Sequence, residues 1–379
     1  MTPVYAKVFP PSPIELSPAL FPEAPPSAAI RAALWLRRAL GRALDALFPA
    51  EIALFEKTTG LCVTMMLGAI AERGIVDHLG DERLTADALA KRAHLDPDLL
   101  HRTLRALATR NVFVLHEDGT FENNRQSRLL AQGRLNRLRE WSMYMATGSN
   151  VAAWADFGET LATGKSAFDR VHGMTVWDWF AKHPDEEALF GHVMMGLTTQ
   201  EAAILAKLYP FAEVRTLCDV GGGRGTLLSE LLLRHPHLEG ALAEGEGVLR
   251  LAKELLTARG VMGRAKLVQA SFFENVPEGY DAYLMKNILH DWDDETCVKI
   301  LSNVKRAMKP GAKLIVCETI LEKNELHPFA AGADVHMIVA CSGRERSEGD
   351  FRALFERAGL RMGRVFPYPT TSILEVLRG

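Results

Sequence analysis

Two stretches of this 379-residue chain carry residue types that could do chemistry. The first is Asp219-x-Gly221-x-Gly223-x-Gly225, placed where an apolar run gives way to a helical pattern. Glycines at a strand-to-helix turn let the backbone bend sharply and come close to a ligand. The spacing does not fit the dinucleotide fingerprint G-x-G-x-x-G/A: counted from Gly221 the sixth position is Thr226, and from Gly223 it is Leu228. Glu244 follows nineteen positions after Gly225, at the end of the next apolar run. A carboxylate there can accept hydrogen bonds from two ribose hydroxyls, so it points to a ribose without saying which cofactor carries it. The second stretch is His290-Asp291-x-Asp293-Asp294-Glu295. It could be a metal cluster, but acids on successive positions of a starting helix point in different directions and suit the positive end of the helix dipole. Asp293 and Asp294 are therefore expected to cap a helix, and no metal is expected.

Both stretches sit in a region of alternating strands and helices. From Val214 onward "RTLCDV", "LEGALAE", "AKLVQA", "AYLMKN", "AKLIVCETI" and "TSILEVLR" read as strands; "GTLLSELLLRH", "GVLRLAKELLTARG", "ETCVKILSNVKRAM" and "SEGDFRALFERAG" read as helices. Near-continuous apolar strands alternating with helices predict a buried, mostly parallel sheet: an α/β, Rossmann-like, doubly wound domain over residues 196–379.

Ahead of it, residues 51–195 read as a mainly helical, winged-helix-like domain. "LTADALAKRAHLDPDLLHRTLRALATRNVFV" gives two helices joined at Asp96-Pro97-Asp98, and "VFVLHEDGTFE" a hairpin turning at Asp118-Gly119. Leu99, Leu100, Leu104 and Leu107 predict a packed face on the second helix, which also carries Arg102 and Arg105, with Arg110 just beyond. A winged helix can bind DNA or serve as a dimerisation scaffold. The net charge of -3 and the absence of a basic run favour the scaffold and no nucleic-acid partner. Residues 125–210 look helical throughout, with Trp141, Trp154, Trp177 and Trp179 expected mostly in the core. Residues 1–50 form an extension. Its proline-rich start, 1–27, reads as an extended or disordered tail, and Ser27 then caps an amphipathic helix to about Leu47, expected to pack on its own domain. No apolar stretch of eighteen residues and no secretory leader is read, so no membrane span is expected. Five scattered cysteines without C-x-x-C suggest reduced thiols in the cytoplasm.

The acid-x-Gly-x-Gly-x-Gly loop resembles the S-adenosylmethionine (SAM) loop of class I methyltransferases. The ordered set "LDPDLLHRTLRALA", "HGMTVWDWFAKHPDEEALFGHVM", "LCDVGGGRGTLL", "SFFENVP", "KNILHDWDDE", "MKPGAKLIVCE" and "GRERS" is similar to the plant caffeate and flavonoid and bacterial polyketide O-methyltransferases, from about residue 55 to 379. That resemblance implies SAM as methyl donor, S-adenosylhomocysteine as product, no metal, and a homodimer whose N-terminal domain helps close the partner's pocket. It implies His290 as general base, flanked by Glu318 and Glu345. It carries Asp219, Gly221, Gly223, Glu244, Ser271, Phe272, Lys286 and Thr198 over as cofactor residues. Met194, Met337, Trp177 and Asp334 come over as residues of the pocket for a small aromatic acceptor. Two departures stand out. The family's Gly-Asp-Phe-Phe is Ala270-Ser271-Phe272-Phe273, and its Asp-Leu-Pro is Glu244-Gly245-Glu246. Some relatives on this scaffold use bound SAM for hydroxylation, decarboxylation or ring formation. His290, Glu318 and Glu345 favour methyl transfer to a hydroxyl instead.

Overall fold

The computed structural model describes residues 15–23, 25–327 and 329–379. The chain divides into two compact units. One holds Ala39–Val151 and Phe180–Leu197; the other holds the described part of 13–38, Ala152–Trp179 and Thr198–Gly379.

The N-terminal elements are α1 (Ser27–Leu47), α2 (Ala50–Thr58), α3 (Gly60–Glu72), α4 (Ile75–Leu79), β1 (Leu84–Thr85), α5 (Ala86–Ala93), α6 (Pro97–Ala108), β2 (Phe113–Leu115) and β3 (Thr120–Asn123). Asp96 caps α6 by accepting from the Leu99 amide at 2.7 Å, with Pro97 in the first turn where its missing N–H does no harm. Strands order as β1-β3-β2, completing a winged-helix arrangement. Leu100, Leu104 and Leu107 enter its core beside Leu79, Leu89 and Phe121. Leu99, expected on the same face, is exposed: one residue along an α-helix turns about 100° away from that stripe.

Three other expectations change here. The tail reading for 1–27 falls partly outside the described residues, but residues 15–23 are docked. Phe21 is buried, its amide donates to both oxygens of Glu230 at 3.2 Å, and its carbonyl accepts from Arg234. Arg259 lies 4.0 Å over the Phe21 ring and pairs with Glu230 at 2.7 Å. Second, α1 does not pack on its own core: none of its residues is buried. Third, Ala50–Glu72 is long and apolar enough to cross a membrane by length and composition. It escaped the count of uninterrupted apolar residues because Glu51, Glu56 and Lys57 interrupt it. Its C-terminal half buries Gly68, Ile70 and Ala71, with Gly68 tight against Ala146.

A helical stretch follows, as expected: α7 (Leu138–Met145), α8 (Gly148–Ala155), α9 (Phe157–Thr163), α10 (Ala167–His172), α11 (Val176–Lys182) and α12 (Pro184–Leu208). Residues 152–179 belong to the second unit and not to the N-terminal domain. Helical periodicity alone cannot tell which core a helix serves. Here Ser166 donates to the Val339 carbonyl, and Trp177 stacks on Trp292 with ring centroids 5.8 Å apart.

The second unit is built on β4 (Thr216–Val220), α13 (Thr226–Arg234), β5 (Glu239–Glu244), α14 (Glu246–Ala258), β6 (Ala265–Gln269), β7 (Ala282–Lys286), α15 (Asp294–Ala307), β8 (Lys313–Glu318), α16 (Ala330–Cys341), α17 (Glu348–Arg357), β9 (Leu360–Phe366) and β10 (Ser372–Arg378). The strand order is β6-β5-β4-β7-β8-β10-β9, parallel except for β10, which runs antiparallel to β8 and β9. This is the expected Rossmann-like sheet, with the order reversing at β4 and β7. Cys218, Tyr283, Met285, Leu314 and Val316 bury one face of it against Ile300, Leu301, Phe351 and Phe355. Strand β9 has no counterpart in the sequence reading, because Arg361, Gly363 and Arg364 break its apolar pattern.

Replacing Phe21 by Ala should empty a buried site and leave Arg259 without its aromatic face. We expect a loss of roughly 3 kcal/mol in unfolding free energy, measured by chemical denaturation. An unchanged midpoint would mean that the 15–23 segment contributes nothing to stability.

Candidate active site

The His290 side chain is placed by a tight turn, Leu289–Asp291, just after β7. Asn287 holds a positive φ of 53°, bending the chain away from the strand. Glu318, the last residue of β8, is fully buried. Its Oε1 accepts the Ile288 and Leu289 amides at 3.0 and 2.8 Å, and its Oε2 lies 3.9 Å from His290 Nδ1. Glu345 reaches the same ring nitrogen at 3.2 Å through Oε1. On the other side of the ring, His290 Nε2 lies 3.4 Å from Asp291 Oδ1. A proton on Nδ1 thus has a carboxylate to donate to, which leaves Nε2 free to accept another.

Electrostatics follows from this crowding. Burial alone would lower the His290 pKa, but Asp291, Glu318 and Glu345 outweigh it and hold it up to about 10. Asp291 is itself pushed up to about 7, chiefly by burial and then by the neighbouring Glu318 and Glu345 charges, against the pull of His290. Burial likewise raises Glu318. Groups this close titrate as one cluster.

The segment after α16 locks the turn. Arg344 N–H donates to the His290 carbonyl at 2.8 Å. Gly343 packs so tightly that an added Cβ would sit 2.0 Å from that carbonyl oxygen. Buried Arg346 donates to the Leu289 and Trp292 carbonyls at 2.7 and 2.8 Å and pairs with Asp294 at 2.7 Å. Asp334 accepts the Glu345 amide at 2.8 Å, so its observed contact orients the second glutamate. Asp293 caps α15 through Thr296, as expected; Asp294 lies in the first turn and also meets Arg346. Sequence reasoning did not single out Asp291, Gly343 or Arg346. Asp291 was legible only as one of several adjacent acids, and Arg346 only as part of "GRERS".

The glycine loop lies at the carboxyl end of β4. Gly221, Gly223 and Gly225 all have positive φ, at 70°, 57° and 76°. Around Gly221 an added Cβ would meet Ile288 at 2.7 Å and Phe272 at 3.3 Å. Glu244 Oε1 accepts the Gly223 amide at 3.1 Å. Asp219 is buried with Oδ2 unpartnered, and burial, then the Glu244 charge, raise its pKa to about 7 despite Lys286. Lys286 closes β7 with an ion pair to Glu201 at 2.9 Å and a 3.5 Å contact to Thr198. Glu201, also bonded by Thr371, is a further residue the sequence did not reveal. Ser271 Oγ accepts the Phe273 amide at 3.3 Å, stabilising its own turn.

The structure therefore gathers Asp219, Gly221, Gly223, Glu244, Phe272, Lys286 and Thr198 around the ends of β4, β5 and β7, and His290, Glu318, Glu345 and Asp334 around the turn after β7. Trp177 joins through Trp292. Met337 lies on α16, its carbonyl accepting from Gly343 and Cys341. Met194, on α12, belongs to the first unit. One nitrogen of His290 and one oxygen each of Glu318 and Glu345 lie within 4.8 Å of one another, close enough to share a metal ion.

Comparison with known proteins gives this geometry its context. Residues 154–361 match the model of the O-methyltransferase domain, and residues 55–133 that of the O-methyltransferase dimerisation domain. The chain is 36% identical to a mitomycin biosynthesis 6-O-methyltransferase of Streptomyces lavendulae over 78% of its length and 85% of that protein's. It is 33% identical to the phenazine O-methyltransferase PhzM of Lysobacter antibioticus, over 84% and 93%. Among solved structures, the mitomycin 7-O-methyltransferase MmcR superposes with a TM-score of 0.83 at 33% identity, covering 89% of this chain and 100% of that one. A neocarzinostatin-pathway O-methyltransferase, solved with SAM and 2-hydroxy-5-methyl naphthoic acid, superposes at 0.74 and 28% identity, over 83% and 96%. The chain belongs to the O-methyltransferase family and is a SAM-dependent O-methyltransferase.

Proposed function

We propose that the acceptor is a hydroxyl, phenolic in character, on a small aromatic or polyketide-type secondary metabolite, with His290 as the general base. The observation that carries this reading is the His290 ring held at Nδ1 by Glu345 at 3.2 Å, with buried Glu318 beside it. A phenol with a pKa of about 10 is almost wholly protonated at neutral pH. The neutral form of His290 takes that proton at Nε2 as the oxygen attacks, and Glu345, Glu318 and Asp291 stabilise the imidazolium that results. The relatives named above act on mitomycin and phenazine compounds, which supports an aromatic acceptor here.

The residues present fit SAM. The unpartnered Asp219 oxygen and the turned glycine loop supply polar groups at the end of β4, and the space a Cβ would take at Gly223 is open. Glu244, on the loop amide, is within reach of ribose hydroxyls; Phe272 and Ser271 would face the adenine, and Lys286 with Thr198 would complete the wall. When bound, SAM supplies a methyl group on a sulfonium, already activated for direct displacement and leaving S-adenosylhomocysteine. Met194, Met337 and Trp177 are proposed to hold the acceptor. The protein is proposed to work without metal, as a homodimer, in the cytoplasm, without nucleic-acid or membrane partners. Arg102 pairs with Asp98 and Arg110 with Thr59, which supports a scaffolding role for the winged helix. The hydroxylating, decarboxylating or cyclising alternative gains no support, since the base and both glutamates remain together.

Three measurements test this reading. His290→Ala should cut turnover on a phenolic acceptor by about 10²-fold or more while calorimetry shows SAM affinity nearly unchanged; equal loss of SAM binding would remove His290 from the base role. The base acts in its neutral form, and its pKa is raised, so kcat/KM should climb with pH through neutrality toward a limb near 10. Glu345→Gln removes one supporting charge and should move that limb down toward the ordinary histidine range; an unmoved limb would assign it to another group. Activity should survive EDTA. Its loss on chelation, with recovery on adding a divalent ion, would make His290, Glu318 and Glu345 a metal site instead.

A further inference from the structure

One histidine near the base takes no part in the proton transfer proposed above. His336 lies on α16, the helix whose Asp334 accepts the Glu345 amide and whose Cys341 Sγ lies 3.9 Å from Asp291 Oδ1. At about 100° per residue, Met337 stands between His336 and Cys341 around that helix. A flat substrate laid across Met337 with its hydroxyl at His290 therefore has Cys341 on one flank and His336 on the other. At a rise of about 1.5 Å per residue, His336 and Cys341 are about 7.5 Å apart along the axis, a span that a second fused ring crosses.

The His336 ring is partly accessible, yet burial alone carries its pKa down to about 4, with no charged group acting on it. It is thus closely surrounded by protein and still open to contact. Being neutral at working pH, it carries a single N–H. Nδ1 is buried without a hydrogen-bond partner; Nε2 is not sealed in that way and meets no partner either among the described residues. Buried N–H groups are left without an acceptor less often than lone pairs without a donor, so the proton belongs on Nε2. Trp154, on α8 and in the same unit, lies beside the ring at 14° from parallel, with centroids 6.0 Å apart. Phe157 packs against Trp154 in turn, at 5.6 Å between centroids. The aromatic neighbours hold the imidazole plane and leave its N–H uncommitted.

We propose that His336 sets acceptor specificity: its Nε2–H donates to an uncharged carbonyl oxygen on the ring of the substrate remote from the methylated hydroxyl. The inference rests on the reading of the acceptor as a phenol held over Met337, and deepens it by naming a second functional group. A carbonyl is favoured over a carboxylate because no charged group acts on His336 to replace the water that a carboxylate would lose. It is favoured over an ammonium group because two donors cannot satisfy one another. Trp154 is a positioning residue in this arrangement and does not itself touch the carbonyl.

The test compares two substrates on the full-length protein with SAM: a hydroxytetralone whose carbonyl is meta to the hydroxyl, and the tetrahydronaphthol that lacks the carbonyl. The meta placement keeps the two phenols close in acidity. Wild type should prefer the ketone by about tenfold or more in kcat/KM. His336→Leu should bring the two within about twofold of each other, by a loss on the ketone alone, with SAM affinity and the rate on the plain phenol kept. His336→Gln, which retains an amide N–H donor, should restore part of the preference. A measurement on the wild type needs no variant to fold: with isotope-labelled histidine and S-adenosylhomocysteine bound, the ketone and not the plain phenol should shift the His336 Nε2 resonance. Equal kcat/KM for the two compounds, or a preference that His336→Leu leaves intact, overturns the role of His336 and leaves methyl transfer to a phenol standing. Turnover of neither compound also overturns that role, and failure on every simple phenol removes the phenolic reading with it.

Discussion

The arrangement of the turn that carries His290 depends on one buried carboxylate. Glu318 ends β8 with no solvent, and an ion in such a place is tolerable only where donors meet it. Two backbone amides meet one oxygen and the histidine ring approaches the other. The amides fix the Leu289–Asp291 turn to the carboxyl end of β8, so the strand that carries the acid also decides where His290 stands. Arg346 and Gly343 secure the opposite side of the turn through its carbonyls. Donors and acceptors of the same short backbone segment are thus held from two directions, which is what makes a three-residue turn rigid enough to aim an imidazole.

The same logic recurs at the glycine loop. Asp219 and Glu244 end neighbouring parallel strands and repel one another, while Lys286 on the next strand offsets them. Lys286 is in turn held by Glu201 on α12. Charge placed at the strand ends is balanced across three adjacent strands and one helix. The order reversal at β4 and β7 opens a crevice where these side chains can meet a ligand.

Much of this was legible before any coordinates. Alternating apolar strands and helices announce a parallel sheet, because strands buried on both faces leave no other pattern. The glycine loop, the acid that ends β5, and the order of His290, Glu318 and Glu345 could be read from residue type and spacing joined to family resemblance. What could not be read depends on three-dimensional closure. Asp334 belongs beside the Glu345 amide through a bond between distant segments. Arg346 answers carbonyls that exist only once the turn has formed. The assignment of residues 152–179 escaped because a helix shows in its sequence which face is apolar but not which core receives it. For α1 even the direction was misread: its periodicity is real, yet its apolar side is turned away from the chain that carries it. Phe21 lay in a run whose prolines suggested disorder, and nothing local signals an ion pair waiting on α13 and α14.

That clamp has a consequence for ligand energetics. Helix α13 begins just after Gly225, the last glycine of the loop, and within its nine residues it carries Glu230, which holds the Phe21 amide. The N-terminal segment and the loop are thus two handles on one short rigid rod. Whatever docking of residues 15–23 changes in the affinity of that loop for a ligand, the ligand changes by the same free energy in the docking of the segment. Trimming the chain ahead of α1 thus removes a support of the helix that follows the glycine loop, from more than two hundred residues away.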